Sequence, residues 1–213
     1  MQKQLERRSY NFEIRAEGDE ETAILTGRPI VYNSITDMGL YDEMIAEGAL
    51  DNTDLTDVRF LVNHDKSKIP LARSRRNNGN NTMQFSVDSQ GLNIDWVKLD
   101  VANNTEARAL RSAVQRGDIS GMSFLFSIDG YEWENLESEK PLKRITKIGT
   151  VVEVSAVTFP AYRDTEIYAR SKEALESAKR ELENARTQLA NKTVDTGDIE
   201  LAKLKTKILT GGF

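Results

Sequence analysis

Alternation of apolar and polar side chains is the dominant pattern in this chain. Met122, Phe124, Phe126 and Ile128 fall on one face of a period-two run, with Ser123, Leu125 and Ser127 on the other, which predicts a strand with an aromatic core side. Tyr10, Phe12 and Ile14 alternate in the same way, and Gly18-Asp19-Glu20-Glu21 turns the chain into a second run through Ile24, Leu25, Ile30 and Val31. That predicts an opening hairpin. Val58, Phe60, Val62 and His64 share one face of a further strand, and Met83, Phe85 and Val87 pair across Asp88-Ser89-Gln90-Gly91 with Leu92, Ile94, Trp96 and Val97. From Ile145 to Phe159 a last strand sets Val152, Val154 and Ala156 against Val151, Glu153, Ser155 and Val157, and Pro160 closes it.

Helical spacing is confined to fewer places. Asn103 can cap a helix with Glu106 three residues on, a buried stripe of Ala107, Leu110, Ala113 and Val114, and Gly117 at its end. The acidic segment from Asp37 to Leu50 reads as a loop with a short helix, and 131–142 as a polar hairpin loop. Beyond Asp164 the composition shifts to helix formers: Leu175, Ala178, Leu182, Ala185 and Leu189 make a narrow apolar seam, and Ile199, Leu201, Leu204 and Ile208 a shorter one. The expected organisation is a disordered leader at 1–8, a mainly β domain over 9–165, and a helical tail over 166–213 for docking or self-association, which would make the chain a homo-oligomer.

Charge and composition narrow the chemistry. The net charge of −5 has acids and bases interspersed, so no basic stripe tracks phosphates and nucleic acid is not expected as a direct partner. The absence of cysteine excludes thiolate nucleophiles, thiolate zinc sites and disulfides. No apolar run is long enough for a membrane span and the start lacks a signal peptide, which points to action in a reducing cytoplasm or in something assembled there. His64 is the single histidine, so a multi-histidine metal site within the chain is impossible and no cofactor is expected. Any histidine general base must be His64.

Ser123, His64 and Glu153 then stand out, each on a separate predicted strand. Taken singly, each has a plain structural reading: a polar position on a half-buried strand, a satisfied histidine at a strand end, an acid paired with an arginine. Glu153 lies in a run of valines, where an ionised carboxylate needs a partner. Together they supply a nucleophile, a base and an acid to orient the base. Arg73 and Arg163 are candidates for helping to stabilise an oxyanion.

The residues Asn63-His64-Asp65, then Ile119-Ser120-Gly121-Met122-Ser123-Phe124-Leu125-Phe126, then Glu153-Val154-Ser155-Ala156-Val157-Thr158-Phe159-Pro160-Ala161 resemble the tailed-phage prohead maturation proteases. Gly27-Arg28-Pro29-Ile30-Val31-Tyr32-Asn33 and Glu47-Gly48-Ala49-Leu50 resemble that family's opening pattern, with Leu50 where phenylalanine is expected. The resemblance covers 9–165 and implies an α+β, mainly β fold: a mostly antiparallel barrel with peripheral helices, related to herpesvirus assembly proteases. It implies a serine endopeptidase acting inside the immature capsid in the host cytoplasm, on scaffold or the scaffold-like arm of the major capsid protein, and on itself. Ser123 carries over as nucleophile and His64 as base. The herpesvirus relatives use a second histidine that this chain lacks, so the third member is Glu153, with Asp65 as the reserve. The competing function is a noncatalytic capsid-assembly or scaffold protein.

Overall fold

The computed structural model describes residues 5–10, 14–18, 22–159 and 176–191. Its strands, in chain order, are β1 (Leu5–Tyr10), β2 (Ile14–Gly18), β3 (Thr22–Val31), β4 (Thr36–Asp37), β5 (Asp42–Ile45), β6 (Asp57–Val62), β7 (Ala72–Arg75), β8 (Met83–Asp88), β9 (Gly91–Asp100), β10 (Gly121–Glu134) and β11 (Leu142–Val157). Helix α1 (Thr105–Gln115) lies between β9 and β10, and a second helix, α2, covers 176–191.

The long β10–β11 hairpin is the spine. Its apolar positions alternate as the sequence predicts, and Met122, Phe124, Phe126, Val154 and Ala156 are buried in one core with Phe60, Leu25, Ile94 and Leu110. β10 takes β1 along its outer edge, and β11 pairs in parallel with β5 through Leu142–Ile145 and with β6 through Glu153–Ala156. Register shifts between Leu125 and Tyr131 mark bulges on β10, which bend a strand and increase its twist. The smaller sheet runs β2-β3-β9-β8, all antiparallel. Gly91 makes its tight turn possible: φ is +133° and a Cβ there would fall 2.1 Å from the Ile30 carbonyl oxygen.

Several expectations need correcting. The fold is mainly β, but the described strands form two open sheets instead of a closed barrel. Residues 5–8, expected in a disordered leader, lie in β1, because the edge of β10 offers backbone partners that outweigh the polar composition of Leu-Glu-Arg-Arg. The opening hairpin is divided: β1 joins the larger sheet, while β2 pairs with β3 in the smaller one. The segment read as a loop with a short helix carries β4 and β5, and β10 and β11 extend into the expected loop at 131–142, leaving 135–141 as the tip. Asn104, one residue later than expected, caps α1 by accepting from the N–H groups of Glu106 and Ala107.

The apolar seam of α2 docks on the protein's own body. Ala178 packs with Met38, Tyr41, Leu40 and Trp133, and Lys143 bonds Glu181 at 3.0 Å. The expected second tail helix, with most of 166–213, lies outside the described residues, as do 1–4 of the leader and Arg163.

Candidate active site

β10 delivers Ser123 beside Ser155 of β11, and two residues further along the same register Leu125 faces Glu153. Period-two geometry puts Glu153 and Ser155 on one face of β11. Both are fully buried. His64 arrives by a different route from the one its alternation suggested. β6 ends at Val62, and Asn63 and His64 both adopt left-handed backbone, with φ of 51° and 58°.

Two consecutive left-handed residues other than glycine are unfavourable unless the surroundings hold them. Asn63 supplies the hold: its side chain donates to Thr158 Oγ1 at 3.0 Å and accepts from the Thr158 N–H at 2.9 Å, while its own N–H bonds the Ala156 carbonyl at 2.9 Å. The turn thereby swings His64 back over β11.

His64 sits between the other two candidates. Its Nε2 is 2.6 Å from Ser123 Oγ, and its Nδ1 is hydrogen-bonded to Glu153 Oε1. Ser155 completes the arrangement, donating to Glu153 Oε2 at 2.6 Å and accepting from the His64 N–H at 3.3 Å. Each oxygen of the buried carboxylate therefore has a donor, which offsets the cost of removing it from water. With a proton on Nδ1 directed at Glu153, Nε2 presents a lone pair to Ser123, the tautomer a general base needs.

The reserve candidate faces elsewhere. Asp65 is exposed and caps a turn, accepting from the Ser67 hydroxyl at 2.6 Å and the Ser67 N–H at 3.0 Å, and those bonds hold its carboxyl below the usual range. Arg73 is engaged by Asp57 through a bidentate pair, both contacts at 2.6 Å. A cavity of about 340 Å³ is lined by Asn63 and Asp65, the sequence neighbours of His64, with Leu61, Leu71 and Ile119, but by none of Ser123, His64 and Glu153.

Ser155, Asn63 and Thr158 lie inside the motifs quoted above but were given no role of their own from the sequence. A signal existed for Ser155, a polar residue two positions from a buried acid and therefore on its face. No local signal marked Arg8 of β1 or Glu43 of β5, which form a buried ion pair near Ser123.

A hydroxyl, an imidazole and a carboxylate linked in series and buried against a β-sheet are the working parts of serine hydrolases. The family model described as caudovirus prohead serine protease matches residues 10–180, well over half of the 213-residue chain. The chain belongs to that family, a serine endopeptidase of phage procapsid maturation. No curated protein and no solved structure matches it.

Proposed function

We propose that the protein cleaves scaffold or the scaffold-like arm of the major capsid protein, and itself, inside the immature capsid, with Ser123 as nucleophile, His64 as general base and Glu153 as the acid that orients it. The observation that carries this reading is the continuous series Ser123 Oγ, His64 Nε2, His64 Nδ1, Glu153 Oε1, with 2.6 Å at its reactive end. His64 removes the hydroxyl proton as Oγ attacks the substrate carbonyl, then returns it to the leaving amine. Glu153 stabilises the imidazolium formed between those events. Water repeats the sequence on the acyl-enzyme.

The parts of the family pattern away from the triad serve the scaffold. Arg28 clamps Asp88 at the β8–β9 turn with contacts of 2.6 and 2.7 Å, and Gly48, at φ +82°, turns the chain so that Ala49 and Leu50 are buried. The test is coexpression with capsid precursor. Wild type is expected to process the precursor, and Ser123→Ala is expected to leave it intact while keeping its circular dichroism. Processing by a folded Ser123→Ala variant contradicts the reading.

A further inference from the structure

β1 does more than extend the sheet. It lies antiparallel on the edge of β10 with Ser9 opposite Ser123 and Arg8 opposite Phe124. The Ser123 hydroxyl lies 2.7 Å from the Arg8 carbonyl oxygen and 2.6 Å from His64 Nε2, so two acceptors compete for its one proton, and Ser123 is 0% exposed beneath this strand. An extended segment paired to the strand that bears the nucleophile, with one peptide carbonyl against its hydroxyl, is how strand addition presents a substrate. The carbonyl so presented belongs to Arg8, and the bond that follows it is Arg8–Ser9.

The side chain at that position is held as selectively as its carbonyl. Arg8 is 3% exposed and Glu43 1% exposed. Nε and Nη2 of Arg8 bond the two oxygens of Glu43, the latter at 2.8 Å, while Nη1 reaches the Arg7 carbonyl at 2.8 Å and the guanidinium lies 5.7 Å from the Phe126 ring centre. Burial alone works against Arg8's charge, but the Glu43 carboxylate holds its pKa above the ordinary arginine value. Lys143, opposite Glu43 in the β5–β11 register, sends its ammonium to Glu181. If β1 withdraws, Glu43 loses this cation, and another arginine laid along β10 would restore the bidentate pair. The neighbouring Arg7 is exposed, so the pocket selects position 8 within the pair.

We infer that Glu43 is the specificity-determining residue, that substrates carry arginine on the acyl side of the scissile bond, and that β1 is the first such substrate, bound in cis and covering the nucleophile until it is cut. This inference rests on the protease reading above. Guanidinium is favoured over ammonium because its planar fork matches both carboxylate oxygens. In the docked state the carbonyl oxygen competes with His64 Nε2 for the single hydroxyl proton; reaction requires that oxygen to turn away, so that the proton is directed to Nε2 and the carbonyl carbon faces Oγ. Oγ then bonds the Arg8 carbonyl carbon, the bond to the Ser9 nitrogen breaks, and the hydroxyl proton passes through His64 to the Ser9 amine. Water hydrolyses the ester, leaving an Arg8 carboxylate and the regenerated Ser123 hydroxyl.

The test uses the full chain and a peptide copying residues 4–12, made with arginine or with its neutral isostere citrulline at position 8. Mass spectrometry locates each cut. Wild type is expected to release a chain beginning at Ser9 and to cleave the arginine peptide after position 8 at a kcat/KM roughly 30-fold or more above the citrulline peptide, the scale for removing one partner of a buried charge pair. In Glu43→Gln the ratio is expected to collapse toward one, and Glu43→Asp, which keeps the charge, to preserve part of it. The wild-type ratio decides the matter even if a variant does not fold. Equal cleavage of both peptides, or Ser123-dependent cleavage only after Arg7 or at bonds without arginine, overturns the inference and leaves the protease reading intact. Absence of any Ser123-dependent cleavage of peptide, chain or capsid precursor overturns both.

Discussion

Ser155 Oγ lies 2.6 Å from Glu153 Oε2, and the two residues share one face of β11. The hydroxyl also accepts the His64 N–H, so a single side chain ties the acid to the backbone of the proposed base. In the proposed mechanism Ser155 acts through those two groups, as a positioning residue.

Replacing Ser155 by alanine leaves an oxygen of a buried carboxylate without that donor, a loss of about 1–2 kcal/mol. The expected result is a kcat roughly tenfold lower with KM little changed, partly restored by Ser155→Thr. Steady-state kinetics on one peptide substrate checks this. A fall in stability with kcat intact would assign Ser155 a purely structural part.

Asn63 and Thr158 exchange two hydrogen bonds that hold the left-handed turn before His64. Asn63→Ala removes both and puts alanine at a positive φ, with an expected cost of about 1–3 kcal/mol and a Tm several degrees lower. Asn63→Gly relieves the backbone but not the lost bonds, so it should recover stability better than activity. Calorimetry beside peptide kinetics separates the two effects.

Stability in acid should depend on Arg28. Its hydrogen bonds first, and the Gln90 N–H second, hold the Asp88 carboxyl down to about 2 from 3.8. A depressed folded value means that the stabilisation is complete above the unfolded pKa near 4 and is lost as the pH falls through about 2. Carbon-13 titration of wild type should place Asp88 low in this window, and Arg28→Gln should move its midpoint up. An ordinary midpoint in the wild-type protein would contradict the clamp.

Ala178 joins α2 to Met38, Tyr41 and Trp133. Ala178→Asp puts a carboxylate into that apolar contact, which it cannot occupy without partners. The helix should detach, with faster proteolysis within 176–191 and a red shift in Trp133 fluorescence, while cleavage of a peptide substrate continues. Unchanged proteolysis would show that α2 is held by other contacts.

The spine of the fold was legible because β10 and β11 bury one apolar face each, and alternation alone reports that. Ser123 and Glu153 could be placed on strands for the same reason, and the lone histidine restricted the base to His64. The turn that delivers His64 was not legible: Val58, Phe60 and Val62 suggest a strand continuing through it, whereas Asn63 and Thr158, distant in sequence, bend the chain away. Arg8 and Glu43 look like ordinary surface charges until β1 and β5 are brought to one site. Long-range pairing decides both cases, and periodicity within a short window carries no trace of it.

The most direct test of the proposed triad is covalent labelling of the 213-residue chain by a diaryl phosphonate, with the modified residue mapped by peptide mass spectrometry. One adduct is expected, on Ser123, forming as β1 lifts from the edge of β10, and nearly abolished in folded His64→Ala. An adduct on another serine, or equal labelling of Ser123 without the imidazole, would contradict it.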